Sequence, residues 1–112
     1  MSVAAVNITI EQGEDFSHTF NIIKSDESPA QLDGYNVVAT MKKYPGSSTG
    51  YEFIVTLDII NSTVKIELPN TTTSSLKYGR YYYDVFLVST TGTRIKVSDG
   101  NAIVNSSATL SI

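Results

Sequence analysis

The residues of this chain that could do chemistry are few. His18 is the single histidine, and cysteine is absent. A zinc site needs several Cys, His or carboxylate ligands in close spacing. His18 instead shares the parity of Phe16 and Phe20 in "FSHTFNI", which places all three on one face of a strand. It reads as a packed ring, and Phe16 and Phe20 as core. Two stretches pair acids, "GEDF" at 13–16 and "SDES" at 25–28. A calcium loop alternates Asp or Asn ligands and closes on a distal Glu. Neither stretch has that pattern, so both read as solvated turns. Serine is abundant, but a Ser-His-Asp triad needs an elbow for the serine and a placed histidine. One histidine near the N-terminus supplies no such geometry. The expected reading is a non-enzyme with no cofactor and no metal.

The tyrosines are the other chemical resource. "LKYGRYYYDVFLV", residues 76–88, holds four of the seven tyrosines, with Tyr81, Tyr82 and Tyr83 in a row. With the period of two that a strand imposes, Tyr81, Tyr83, Val85 and Leu87 share one face. Arg80, Tyr82, Asp84, Phe86 and Val88 share the other. The first face is wholly apolar or aromatic and is expected to be core. A tyrosine at the start of such a strand resembles the tyrosine corner of immunoglobulin-like sandwiches. On the second face Phe86 and Val88 stand among charged residues. They are either covered within the domain or part of an interface.

The element pattern around these residues is that of a β-protein. Alternation runs through "VNITI", "FSHTFNI", "YNVVATMKK", "YEFIVTL", "VKIEL", "YYYDVFLV", "RIKVS" and "AIVNSSATLSI", about eight short strands. "SDESPAQLDG" and "YPGSSTG" read as turns. Gly92 in "STTGT" and Gly100 in "SDGN" are each expected to form a tight hairpin. "LPNTTTSSLKYG" breaks the alternation. Asn70 is expected to cap one or two helical turns that end at Gly79, with Leu76 plugged inward. The predicted fold is all-β: an immunoglobulin-like sandwich of about seven to eight antiparallel strands, with one short helical turn near residues 70–78. It is expected to form one domain over residues 1–112.

Composition narrows the partners. The formal net charge is −3, and the basic residues are scattered. That argues against nucleic acid, whose binders carry a clustered basic face. No apolar run approaches the about 18 residues of a membrane helix, so no membrane partner is expected. The opening "MSVAAV" has no basic region before an apolar one and is not read as a signal peptide. Its apolar residues Val3, Ala4, Ala5 and Val6 are expected to form a flexible arm at residues 1–6 that orders on a partner. Ser and Thr make up about a quarter of the chain, which suits a hydroxyl-rich β-surface.

Four landmarks carry a family resemblance: "ITIEQGEDFSHTFNI", "PAQLDGYNVVATMKK", "LPNTTTSSLKYGRYYYDVFLV" and "TGTRIKVSDGNAIVNSSAT". In this order they resemble small immunoglobulin-like virion proteins of tailed bacteriophages, including baseplate and tail-fibre modules such as the N-terminal domains of baseplate upper proteins. The positions that carry the likeness are Leu32, Gly34, Tyr35, Gly79, Tyr81, Tyr83 and Asp84, and they are structural. The resemblance implies a free-standing virion accessory assembled in the host cytoplasm. It would dock on the tail, baseplate, neck or capsid through other virion proteins or as a homo-oligomer. Its contact residues would be Val3 to Val6 with Phe86 and Val88. The alternative expectation is a module that binds carbohydrate or a host surface, with Tyr44, Tyr51 and Tyr78 as stacking platforms.

Overall fold

A computed structural model of the chain describes residues 4–22, 32–44, 46–47 and 50–106. The elements in chain order are β1 (Ala4–Ala5), β2 (Ile8–Glu11), β3 (Phe16–Asn21), β4 (Tyr35–Lys42), β5 (Tyr51–Glu52), β6 (Ile54–Asp58), β7 (Thr63–Leu68), α1 (Asn70–Thr73), β8 (Gly79–Ser89) and β9 (Arg94–Asn105). They build two sheets. The larger runs β1-β9-β8-β4-β5, with β2 also on β9, and the smaller runs β3-β7-β6. The groups β4-β8-β9 and β3-β7-β6 are the C-F-G and B-E-D groupings of an immunoglobulin-like sandwich.

The alternation seen in the sequence becomes an alternation of burial. In β8, Tyr81, Tyr83, Val85 and Leu87 are buried, and Tyr82 is exposed. They meet Ile10, Leu32, Met41, Ile66 and Leu76 in one core. Phe20 is buried, whereas Phe16 is only half-buried at the core margin, with its ring 6.1 Å from that of Phe53. "YEFIVTL" is one alternating run but serves both sheets. Tyr51 and Glu52 pair with β4, and Ile54 to Asp58 pair with β7. Buried Phe53 sits at the change of sheet, where its N–H donates to the Ala39 carbonyl at 3.0 Å.

Four expectations are corrected by long-range contacts. Ala4, Ala5 and Val6 are not a free arm. Ala4 and Ala5 pair in parallel with Ser98 and Asp99, and Ile8 to Glu11 pair in parallel with Ala102 to Asn105. The register is the same on both sides of the gap, so β1 and β2 are one edge strand interrupted at Val6 and Asn7. The physical reason is that β9 otherwise has an unpaired edge, and buried Ile8 and Ile10 complete the core. Val3 lies outside the described residues. The same pairing shows that the strands are not all antiparallel.

Gly100 makes no hairpin. "RIKVS" and the start of "AIVNSSATLSI" form one strand, β9, that runs through it. The reason is steric, because a Cβ at Gly100 would overlap the Val6 carbonyl. Gly92, in contrast, turns the β8–β9 hairpin at φ 91°, with Ser89 N–H donating to the Thr93 carbonyl at 2.8 Å.

Asn70 is not the helix cap. It begins α1 itself, and Pro69 takes the cap position without a side-chain bond. The acceptor comes from the β2–β3 turn: the Asn70 N–H donates to Asp15 Oδ1 at 2.7 Å. Thr73 Oγ1 donates to the Glu14 carbonyl at 2.9 Å, and Gln12 Nε2 to the Leu76 carbonyl at 2.6 Å. The acidic turn "GEDF" is solvated, as expected, with Gly13, Glu14 and Asp15 exposed, and it also clamps the crossover. Asp15→Ala is expected to lower stability by about 1 kcal/mol, the usual scale for a lost helix-start acceptor. Glu14→Ala should cost markedly less, because Glu14 serves the clamp through its backbone. Urea unfolding of both variants checks this.

Candidate functional site

The outward face of the larger sheet gathers the half-exposed residues of β8 with their cross-strand neighbours. Phe86 lies between Val38 and Lys96, and Val88 between Asn36 and Arg94. Tyr82 lies between Lys42 and Asn101, and Asp84 between Thr40 and Asp99. Phe86 is half-buried because the domain's own cations partly cover it. The Arg94 guanidinium is 5.2 Å from its ring centroid, and Lys96 Nζ is 5.7 Å away. Such cation–π contacts let a charged strand shield an aromatic ring. Lys96 also reaches Asp99 at 3.5 Å. Val88 is half-buried, while Val38 and Tyr82 are each 41 % exposed. Val38, Tyr82, Phe86 and Arg94 line a groove of about 270 Å³ that also takes in Thr40, Lys42 and Asp84. An apolar floor with basic walls can receive an apolar, acidic protein surface.

The inward face is structural. The Tyr81 hydroxyl donates to the Lys77 carbonyl at 2.9 Å, the tyrosine-corner bond of an immunoglobulin-like sandwich. The Tyr83 hydroxyl donates to the Val6 carbonyl and lies near Ser98 Oγ. Burial raises the pKa of both phenols above its ordinary value, with Tyr51 adding to the rise at Tyr81 and Asp99 at Tyr83. Both hydroxyls therefore stay protonated donors at neutral pH. They tie the crossover and the N-terminal strand to the core.

The sequence's other candidates are separated from one another. His18 is half-buried, its ring 4.6 Å from Phe20 and edge-on to it. It borders a polar cleft of about 430 Å³ where β2 and β3 part, together with Glu11, Glu14 and Asp15. Two of these acids are already engaged, Asp15 with α1 and Glu11 with the Asn105 amide at 2.6 Å. Among the described residues no group of three His, Cys, Asp or Glu side chains is placed to hold a metal. Tyr44 and Tyr78 are exposed. Tyr51 is less so and packs edge-on against Tyr81, ring centroids 6.3 Å apart.

Two features escaped the motif reading. "GSSTG" at 46–50 spells Gly-x-Ser-x-Gly. That elbow belongs between a strand and a helix, whereas here it joins strands β4 and β5, and Ser48 lies outside the described residues. The second is the β6–β7 turn. Ile59 is half exposed there, and Ile60 is 93 % exposed. Asn61 donates through its backbone N–H to Asp58 Oδ1 at 3.0 Å and through Nδ2 to Oδ2 at 2.8 Å. These bonds hold the Asp58 carboxyl below its ordinary pKa, the side-chain bond contributing most. Ser62 closes the turn at φ 55°. Alternation could not reveal this tip, because two adjacent isoleucines at a strand end look like more strand.

No family model matches the chain. No curated protein matches it either. Among solved structures it is similar to the Listeria monocytogenes internalin-like protein lmo2027, at 16 % identity and a TM-score of 0.48, over 92 % of this chain and 28 % of that one. The chain thus spans less than a third of the length of that protein.

Proposed function

We propose that this domain is a non-enzymatic virion protein of a tailed bacteriophage. It assembles by protein–protein contact on the tail, baseplate, neck or capsid. The observation that carries the assembly reading is the outward face of the larger sheet. There Val38, Tyr82, Phe86 and Val88 form a half-exposed apolar strip among Lys42, Arg94 and Lys96. Apolar strips rimmed by charge are what protein interfaces use. The phage assignment rests on the order of the four sequence landmarks. The test is protein mass spectrometry of purified particles from the phage that encodes the chain. The domain should be present at a fixed copy number relative to a major tail or capsid protein. Its absence from particles overturns the reading.

A second reading, recognition of carbohydrate or a host surface, draws on the exposure of Tyr44 and Tyr78, since open aromatic faces can stack on sugars. A glycan array probed with the purified domain decides it. Binding lost on Tyr78→Ala would favour this reading over assembly.

A further inference from the structure

The molecule presents an apolar projection and an apolar recess at different places on its surface. The projection is the β6–β7 turn, where Ile60 stands clear of the domain and Ile59 is half exposed, beside the Asp58 carboxylate. Their backbone is not a loose loop. Both carboxylate oxygens of Asp58 are bonded to Asn61, and Ile22 N–H donates to the Ser62 carbonyl at 2.9 Å, tying the turn to the end of β3. A projection fixed in this way loses little entropy on docking. The recess is the groove of about 270 Å³ floored by Val38 and Phe86, with Lys42 and Arg94 in its lining.

We infer that the Ile59–Ile60 turn of one copy inserts into the Val38–Phe86 groove of a second copy, giving a head-to-tail contact. Charge complementarity selects the occupant. The groove lining holds Lys42 and Arg94 against the single acid Asp84, whereas the projection brings its own anion, Asp58. A carboxylate that accepts two bonds keeps lone pairs for a third donor. The chain as a whole carries −3, so a mostly basic recess on it favours an acidic guest, and the chain's own turn is both acidic and apolar. Projection and recess are different surfaces, so the contact is heterologous. Repeated, it closes into a ring or extends as a filament. A turn tip buries little area, so a single contact is weak and many copies on a symmetric particle make it effective. This deepens the assembly reading by naming a partner, but its test needs no particle.

The experiment is sedimentation velocity of the purified domain up to about 1 mM, the range in which contacts of a few kcal/mol appear. The wild-type sedimentation coefficient should rise with concentration. Ile60→Asp removes the projection, and Val38→Asp places a like charge in the recess. Both positions are exposed, and unchanged circular dichroism and melting would establish that each variant folds. Each variant alone should stay monomeric. Mixed in equal amounts they should form a one-to-one complex and nothing larger, because one variant still offers the projection and the other the recess. A wild type that stays monomeric throughout overturns the inference. So does an Ile60→Asp variant that associates like wild type while Val38→Asp does not, which would mean face-to-face pairing of the sheets. Variants that remain monomeric when mixed overturn it as well. Absence of the protein from particles, with this association intact, would sink only the phage assignment.

Discussion

Tyr83→Ala should cost about 3–5 kcal/mol of folding stability, while Tyr82→Ala, one residue away, should cost about 1 kcal/mol or less. The strand is the same and the side chains are identical, so only their faces differ. Tyr83 is 3 % exposed, with Phe20 and Phe53 rings 6.4 Å away on its side of the sheet. Its removal leaves a cavity where β8 meets the second sheet. It also leaves the Val6 carbonyl without its hydroxyl donor. Tyr82 stands on the outward face, where a shorter side chain gives up contacts mainly to water. Tyr83→Phe separates the two effects. It keeps the ring and loses the donor, and should cost about 1 kcal/mol, near the net worth of one hydrogen bond. Denaturant unfolding with a common m-value checks the series, and equal costs at positions 82 and 83 would show the two faces to be misassigned. The raised phenols add a pH signature. A group whose folded value lies above its unfolded one, here 10.0, stabilises the fold fully below that pH. That contribution is lost as pH rises past it. Wild type should therefore weaken above about pH 10, and Tyr83→Phe should weaken less.

The second large effect is expected at Gly100, where alanine should destabilise by about 3 kcal/mol, in the range of overpacked sites. The added methyl would collide with the Val6 carbonyl, which is backbone and cannot rotate away. To relieve the clash the edge strand must lift. That strains the Val6 N–H bond to the Asp99 carbonyl, 2.9 Å, and the 3.1 Å bond from Asn101 N–H to Asn7 Oδ1. Amide exchange should accordingly speed up in residues 4–11 while β3 and β7 stay protected. Gly46→Ala is the control, because nothing lies within 4 Å of a Cβ there, and it should be close to neutral. A chain lacking residues 1–7 should be less stable than wild type but indifferent to Gly100→Ala. The coupling between truncation and substitution is then most of the single-variant effect. Additive costs would mean that Gly100 is needed for some reason other than the strand above it.

Local rules account for much of the fold. Strand period two decided which side of β8 is core, because successive side chains must point to opposite faces. Gly92 could be read as a hairpin residue because the reversal it permits involves only its immediate neighbours. Leu76 could be read as a plug because it is the lone large apolar residue in a hydroxyl-rich crossover. The same local rules misled wherever the cause lay far along the chain. Gly100 looks like a turn by composition, yet it is a strand residue whose missing side chain makes room for Val6. "MSVAAV" is too short and too apolar to announce a partner, and only the bare edge of β9 makes residues 4–5 a strand. Asp15 and Asn70 are distant in sequence, and no spacing rule joins an acid in one turn to the first turn of a helix. The groove and the isoleucine tip belong to the same class. Period two placed Phe86 on the outward face, but whether a cation from the neighbouring strand would cover it depended on the β8–β9 register, which shifts at a bulge between Val85 and Phe86. Sequence determines what each residue can do with its neighbours along the chain. Tertiary structure decided which distant backbone and charge each residue meets, because packing two sheets brings together atoms that no local period relates.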